Sequence, residues 1–228
     1  MILEDKLKEI YYKIKEAQHR IGLSHLVEVV GVTKTHSFDV VESSYRAGIK
    51  SIGENRVQEA VVKFQKNPEI PGLKKRFIGH LQTNKVKKCL DIFDTVDSID
   101  SIKTLKRVSK ASKDLNKKVS VLIEINTSKE TQKNGFRTDE KEEILKCFDE
   151  EPDLVRGLMT IGPHTKDKKK IRRSFQSLRQ LREELREENK NIDINHLSMG
   201  MSGDFELAIE EGSTMIRIGS LLYGRRKN

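Results

Sequence analysis

Lys34 is the first residue of this chain whose type and position could do chemistry. It ends the apolar run 29–33, and an amine at the end of a buried strand can form a Schiff base with an aldehyde. Far downstream, the Gly- and Ser-rich segment 198–204 precedes a helical pattern, so it offers backbone N–H groups and a helix dipole to a phosphate. Arg217 supplies a third part, because the pyridine nitrogen of pyridoxal phosphate usually pairs with either an Asp or an Arg. Together these residues indicate a pyridoxal 5′-phosphate site.

The phosphate is expected between two segments near the end of the sequence. Ser202 stands just before a short helical pattern, and Gly219 lets backbone N–H groups approach an anion with no side chain in the way. Ser202 could equally be a plain capping serine, and Arg217 a structural member of an ion pair. The residues expected to contact the cofactor on this side are Met199, Ser202, Arg217, Gly219 and Ser220.

Short strand patterns alternate with helical patterns along the whole chain. The chain opens with an amphipathic helix, because Leu3, Leu7, Ile10 and Ile14 recur at a spacing of three or four. The pattern then predicts strands over 27–33, 51–54, 76–80, 95–98, 119–125, 155–161, 194–198 and 215–218, and helices that include 39–47, 55–65, 101–115, 140–148 and 170–188.

Strict alternation of strands and helices requires a parallel sheet with crossover helices. Eight such units predict a closed α/β structure, a single (β/α)8 TIM barrel with an extra N-terminal helix, as one domain over residues 1–228. In such a barrel the site lies at the carboxyl ends of the strands, often with phosphate after the last two. A doubly wound open sheet is the main alternative.

Strand parity supports a special role for Lys34. In a lysine-rich chain, a lysine that ends a strand is usually only a solvated side chain. Val30, Val32 and Lys34 share one face, however, so an inward-facing valine pair puts Lys34 at the rim of the barrel interior. Partial burial there would favour the neutral amine that imine formation needs.

Other polar residues at predicted strand ends would form the mouth of the barrel. His80 follows one strand and could be catalytic, although a satisfied structural histidine is the simpler reading. Asn55 and Asn84 each precede a helical pattern, so they could start helices or line the pocket. We expect Asn55 and His80 to contribute to cofactor binding.

Composition excludes several classes of protein. Hydrophobic and charged residues each make up 35% of the 228 residues, which suits an ordered core rather than a disordered chain. Cys89 and Cys147 show no disulfide or zinc-ligand spacing. The start of the chain lacks a signal-peptide pattern and no apolar run is long enough to span a membrane, so a cytoplasmic location is expected. The formal charge of +9 could attract polyanions, but aromatic residues for base stacking are scarce.

Eight stretches and Asn126, in this order over nearly the whole chain, carry a family resemblance. The stretches are residues 32–34, 53–59, 77–85, 96–98, 133–135, 157–159, 198–204 and 216–224. They resemble the pyridoxal phosphate homeostasis protein family of the YggS/PROSC type. One departure is visible: Lys75 and Arg76 stand before Phe77, where the family would suggest an aromatic residue and a histidine. We expect this pair to leave the cofactor site little affected.

The resemblance implies both a fold and a function. The fold would be a (β/α)8 barrel like the N-terminal domain of alanine racemase, with a Schiff base on Lys34. Ser202, Gly219 and Ser220 would contact the phosphate, and Arg217 would face the pyridine nitrogen. The function would be intracellular homeostasis of pyridoxal 5′-phosphate, by buffering it or by delivering it to apo-enzymes that depend on it.

Catalysis is not expected from this site. Racemisation needs a base on each face of the substrate, and alanine racemases take the second from a following β-domain that this sequence does not show. Arginine at the pyridine nitrogen also weakens the electron sink that carbanion chemistry uses. We therefore expect a monomeric carrier. The alternatives are an amino-acid racemase using His80 or a tyrosine as second base, and a basic barrel that binds nucleic acid.

Overall fold

The computed structural model describes residues 2–128 and 130–224, and in them strands alternate with helices. The strands are β1 Glu28–Val32, β2 Ser51–Glu54, β3 Lys74–Phe77, β4 Thr95–Ile99, β5 Ser120–Asn126, β6 Phe136–Arg137, β7 Val155–Met159, β8 His196–Met201 and β9 Met215–Ile218. The helices are α1 Leu3–Arg20, α2 Phe38–Arg46, α3 Val57–Gln65, α4 Val86–Ile92, α5 Ile102–Asp114, α6 Lys141–Glu150, α7 Lys168–Glu188, α8 Phe205–Glu210 and α9 Ser220–Tyr223, with a 3-10 turn at Thr83–Lys85.

Eight of these strands close into a parallel barrel, which confirms the predicted (β/α)8 fold. The ring runs β1-β2-β3-β4-β5-β7-β8-β9, and β9 pairs in parallel with β1. The short β6 pairs only with β5 and lies outside the ring. The expected extra helix α1 packs its apolar face against α8, β9 and α9, and Lys6 Nζ donates to the Leu222 carbonyl at 2.8 Å.

Three strands differ from the prediction by two residues or more at one or both ends. The third strand covers 74–77 rather than 76–80, and the sixth strand of the ring ends at Met159 rather than 161. The next strand, β8, extends to Met201, so part of the predicted phosphate turn is strand. The charged residues at the start of β3 and the glycine within β8 indicate boundaries in the sequence, whereas in the barrel these segments pair with neighbouring strands.

The barrel interior has an apolar middle layer. Val30, Leu122, Met159 and Met215 form a fully buried cluster there. Residues two positions further along each strand therefore also face inward, toward the carboxyl ends of the strands. A separate apolar layer between the strands and the surrounding helices forms the main core.

A buried ion cluster fills the barrel interior at the other end. Arg76 Nη1 donates to both carboxylate oxygens of Asp97 at 3.1 Å, and Arg76 Nη2 lies 3.0 Å from Glu28. Ser51 Oγ accepts from Arg76 Nε at 2.9 Å. Burial by itself would raise the pKa of Glu28, but the charge of Arg76 and nearby donors bring it below its usual value.

Lys75 and Arg76 therefore do not form one surface patch. Arg76 is buried inside the barrel, while Lys75 points toward the helices, with its Nζ 5.9 Å from the ring centre of Phe64. The predicted third strand begins at Arg76, whereas β3 begins at Lys74 and contains both residues. Alternation along a strand sends the two side chains to opposite faces.

Replacing Arg76 with methionine should strongly destabilise the fold, because Asp97 would stay buried without its cation. We expect R76M to lower the free energy of unfolding by about 3 to 5 kcal/mol, as for other broken buried ion pairs. Urea denaturation followed by circular dichroism measures this. Arg107 is exposed on α5, so R107M is the matched control. Equal stability of R76M and R107M would contradict the structural role of the cluster.

Candidate functional site

A cavity of about 340 Å³ opens at the carboxyl ends of the barrel strands. This is the end at which (β/α)8 barrels carry their sites, and the size is within the range of small-molecule pockets. The lining residues come mainly from the segments after β1, β8 and β9. They are Val32, Lys34, His36, Ile78, Ile161, Met201, Ser202, Gly203, Arg217, Gly219, Ser220 and Gly224.

Lys34 follows the end of β1 by two residues and lines the cavity. Val32 is the last residue of β1, and the backbone N–H of the buried Thr33 continues the strand pairing by donating to the Gly53 carbonyl at 3.1 Å. Lys34 is partly buried and lies at the cavity wall. The chain then turns sharply at Thr35, which has a φ of 69°.

A small group of donors converges at the side of the cavity formed by β8 and β9. Ser202 Oγ accepts a hydrogen bond from the Gly219 N–H at 3.2 Å and from the Leu221 N–H at 3.4 Å. These amides lie at the start of α9. Amides at the start of a helix favour a negatively charged ligand, and the Ser202 hydroxyl can itself donate to such a ligand.

The loop that presents Ser202 depends on Gly200 and Asp204. Gly200 has a φ of 96°, and a Cβ there would lie 2.6 Å from the Cβ of Ala208. Only glycine fits this left-handed position against α8. Asp204 Oδ1 accepts from the Met201 N–H at 2.6 Å and closes the loop. Burial raises the pKa of Asp204, which this hydrogen bond partly offsets.

Arg217 is buried and held by neutral acceptors. Its Nη1 donates to the carbonyl and the hydroxyl of Ser198 at 2.9 and 2.7 Å, and its Nη2 donates to the Thr160 carbonyl at 2.8 Å. Among the described residues, no carboxylate lies within ion-pair distance of it. Burial lowers the pKa of Arg217, opposed by the more distant charges of Asp97, Asp204 and Glu124.

A set of buried hydroxyls fixes one of these acceptors. Thr127 Oγ1 lies 2.8 Å from Thr160 Oγ1 and 2.6 Å from Ser174 Oγ, and Thr160 Oγ1 donates to the Ile125 carbonyl at 2.7 Å. The network ties β5, β7 and α7 together behind Thr160. The guanidinium of Arg217 is therefore rigidly placed at the cavity wall.

Glu124 is an inward-facing carboxyl that the sequence did not single out. It lies on β5 two residues beyond the interior Leu122, and only 8% of it is exposed. Burial, together with the charge of Asp100, raises its pKa to about 6, despite the opposing charges of Arg217, His80 and Lys133. The position follows from strand parity once the register is known, but its pKa depends on packing that a sequence does not show.

Three of the residues expected to bind the cofactor do not line this cavity. His80 is exposed, and its Nδ1 lies 3.1 Å from Asp100. Met199 is fully buried in the core between strands and helices. Asn55 is half-buried just after β2. Its carbonyl packs against Gly79, and a Cβ on Gly79 would lie 2.1 Å from the Asn55 oxygen. Asn84, left open in the sequence, lies exposed in the 3-10 turn.

Several lining residues were missed by the sequence analysis. Val32 and Met201 precede the predicted contacts, while Ile78 and Ile161 follow strands that end earlier than predicted. These are apolar side chains with no chemical signature of their own. The described residues contain no cluster of side chains able to hold a metal ion, and none of their helices is long and apolar enough to cross a bilayer.

Comparison with known sequences gives full-length matches. The family model described as alanine racemase, N-terminal domain, matches residues 6–227. A pyridoxal phosphate homeostasis protein from Aquifex aeolicus is 39% identical over 225 residues, which cover 98% of each chain. One of the same name from Pasteurella multocida is 36% identical and covers 99% of this chain and 98% of its own.

Solved structures give the same picture. PipY from Synechococcus elongatus PCC7942, solved without PLP, is 28% identical with a TM-score of 0.87, and the match covers 97% of this chain and 100% of PipY. PipY with PLP bound matches with a TM-score of 0.82. An alanine racemase from Clostridium difficile 630 is 19% identical with a TM-score of 0.72 over 98% of this chain and 57% of its own, which shows a shared fold.

Replacing Glu124 with glutamine should stabilise the protein only where the carboxyl would ionise. The pKa rises from 4.5 to about 6 in the fold, so the unfolded chain loses its proton first and wild-type stability falls between these values. We expect E124Q to gain about 2 kcal/mol near pH 8 and almost nothing near pH 4. Urea denaturation at both pH values tests this.

The control for this experiment is E16Q, which removes an exposed carboxylate on α1. A gain in E124Q of the same size near pH 4 and near pH 8 would show that ionisation of Glu124 is not the cause.

Proposed function

The chain belongs to the pyridoxal phosphate homeostasis protein family, and we propose that it binds pyridoxal 5′-phosphate reversibly in the cavity at the barrel mouth. Buffering or delivery of this active form of vitamin B6 would then be its role. The names of the full-length relatives and the PLP bound in PipY support this proposal. The observation that carries it is that Lys34, Ser202 and Arg217 line one cavity of suitable size.

The residues present fit this ligand. The cofactor needs an amine for its aldehyde, donors for its phosphate and a partner for its ring nitrogen. Lys34 would provide the amine and Arg217 the partner of the ring nitrogen. The phosphate donors would be Ser202, Gly219 and Ser220, as expected from the sequence, together with the amide of Leu221. A Cβ at Gly219 would meet Val32 at ordinary van der Waals distance, with no atom closer than 3.5 Å.

Reversible attachment follows from the chemistry of an amine. When bound, the cofactor would supply an aldehyde, and Lys34 Nζ would be the amine that condenses with it, with loss of one water molecule. Return of a water molecule releases the ligand, and no other group is consumed. The phosphate donors would keep the ligand near Lys34 between these events, because charge-assisted hydrogen bonds to phosphate are strong.

Two features support a carrier rather than an enzyme. Arg217 would leave the ring nitrogen unprotonated, which weakens the electron withdrawal that carbanion chemistry needs. The expected second base is also poorly placed: His80 is exposed beside Asp100, and burial raises the pKa of Tyr223, next to the cavity, to about 12. Tyr223 Oη lies 2.8 Å from Ser44 Oγ.

The proposal includes a setting and partners. We expect a monomer in the cytoplasm that passes the cofactor to apo-enzymes and has no specific nucleic-acid partner. Cys89 and Cys147 are both buried and unpaired, which suits a reducing compartment.

Trapping the bound cofactor should label Lys34. We expect protein mixed with pyridoxal 5′-phosphate and reduced with borohydride to carry one adduct, located on Lys34 by peptide mapping. K34A should lose that adduct because no other lysine among the described residues lines the cavity. K103A, on the exposed face of α5, is the matched control.

An adduct in K34A equal to that of the wild type would refute the role of Lys34. Sustained exchange of α-hydrogens of amino acids with solvent deuterium, at enzyme-like rates, would refute the carrier proposal even if Lys34 is labelled.

Replacing Ser202 with alanine should weaken binding through the phosphate alone. We expect S202A to raise the Kd for pyridoxal 5′-phosphate by about tenfold or more, the usual effect of losing one hydrogen bond to a charged group. The Kd for pyridoxal, which has no phosphate, should stay unchanged. Absorbance titration with both compounds measures the two values. Equal weakening for the two ligands would show that Ser202 does not contact the phosphate.

A further inference from the structure

Lys34 stands between a buried residue and a residue with a strained backbone. The next residue, Thr35, has a φ of 69°. This left-handed conformation is rare for a β-branched residue and costs free energy unless surrounding contacts maintain it. The preceding residue, Thr33, is fully buried. A strained turn thus begins directly at the residue that lines the cavity.

Every polar group of Thr33 has a partner, and together these partners hold the turn. Its N–H donates to the Gly53 carbonyl, and its Oγ1 donates to Glu54 Oε1 at 2.7 Å. Its carbonyl accepts two hydrogen bonds, one from Lys63 Nζ at 2.9 Å and one from the His36 N–H at 3.0 Å. The second of these bonds closes the turn around Lys34.

Glu54 and Lys63 form a buried ion pair behind this turn. Lys63 Nζ lies 2.5 Å from Glu54 Oε1, and the side chain of Lys63 is 8% exposed and that of Glu54 1%. Glu54 Oε2 is buried with no hydrogen-bond partner. A buried ion pair with an unsatisfied oxygen is a poor way to gain stability, since apolar side chains often serve as well. Such exceptions are expected where function constrains the residues.

We propose that Glu54 and Lys63 are positioning residues that hold the strained turn at Thr35 and so fix the direction from which Lys34 enters the cavity. The inference rests on the proposed function, because the position of Lys34 matters only if its amine reacts. Lys63 reaches from α3 to the main chain beside Lys34, and Glu54 extends from the end of β2 to the Thr33 side chain. Neither residue lines the cavity.

The ion pair acts on the turn through one residue, Thr33, since Lys63 binds its carbonyl and Glu54 binds its hydroxyl. Without the ammonium of Lys63, the Thr33 carbonyl would keep only the bond from the His36 N–H, and the turn would have less to oppose its strain. The turn would then sample conformations in which Lys34 points elsewhere. Formation of the covalent link would slow, because a well-placed amine reacts faster than a mobile one.

The test uses a double variant that removes both charges together. K63M alone would leave Glu54 buried as an unpaired anion and would destabilise the protein for that reason. E54Q/K63M removes this penalty, so its stability in urea should be close to that of the wild type. The matched control is E9Q/K13M, which removes an exposed ion pair of 2.9 Å on α1.

Two measurements are made on each variant. Amide hydrogen exchange of His36, followed by NMR without cofactor, reports the hydrogen bond that closes the turn. The rate of borohydride-trapped labelling of Lys34 by pyridoxal 5′-phosphate reports the position of the amine. In E54Q/K63M we expect exchange at His36 to accelerate and labelling to slow, each by about tenfold, the effect of losing one hydrogen bond to a charged group.

T33V is a second variant of nearly unchanged shape that removes only the hydroxyl bonded to Glu54. It should show the same two changes to a smaller degree, while T33S should resemble the wild type. Wild-type exchange at His36 in both E54Q/K63M and T33V would overturn the proposal, and so would wild-type labelling in a variant with faster exchange. Absence of Lys34 labelling in the wild type would instead refute the proposed function, while the exchange measurement would still decide whether the ion pair holds the turn.

Discussion

The parallel pairing of β1 with β9 is the constraint on which the candidate site depends. It aligns Val30 with Arg217 and Gly31 with Ile218, so the chain segments after both strands leave the barrel side by side. Lys34 and Gly219 are far apart in sequence, and the closure of the ring alone brings them to one cavity. If β9 joined another edge, neither residue would have a partner for the chemistry proposed. The site is thus a property of the closed sheet rather than of any local motif.

The closed barrel also holds charged side chains in its interior, and they lie in separate layers. An apolar layer around Val30 and Leu122 separates the ion cluster at one end from Arg217 at the other. Asp97 serves both ends, since it pairs directly with Arg76 and its charge also opposes the effect of burial on Arg217. One carboxylate therefore helps to keep two buried guanidinium groups protonated.

The sequence predicted the parts of the fold that depend on periodicity. The alternation of strands and helices and the pattern of the extra helix were sufficient for the barrel. The strand parity of Lys34 predicted its place at the barrel rim, and Lys34 lines the cavity there. His80 and Met199 show where such reasoning ends. A motif places a residue near a strand end, but whether the side chain enters the cavity, meets Asp100 or turns into the core depends on the exact strand end and on packing. The burial of Arg76 was not predicted for a related reason, because its acidic partners come from β1 and β4, which are distant in sequence.

The contact of Ser202 with the amides of Gly219 and Leu221 has a consequence for how long a ligand stays. An arriving phosphate would exchange one acceptor for another rather than satisfy empty donors. The free energy of phosphate binding from these amides is then only the difference between a charged and a neutral acceptor. When the phosphate leaves, the amides can again donate to the serine. Such competition shortens residence time without sacrificing selectivity for the anion. Donors that alternate between a serine and a phosphate in this way would suit a protein that binds its ligand only transiently.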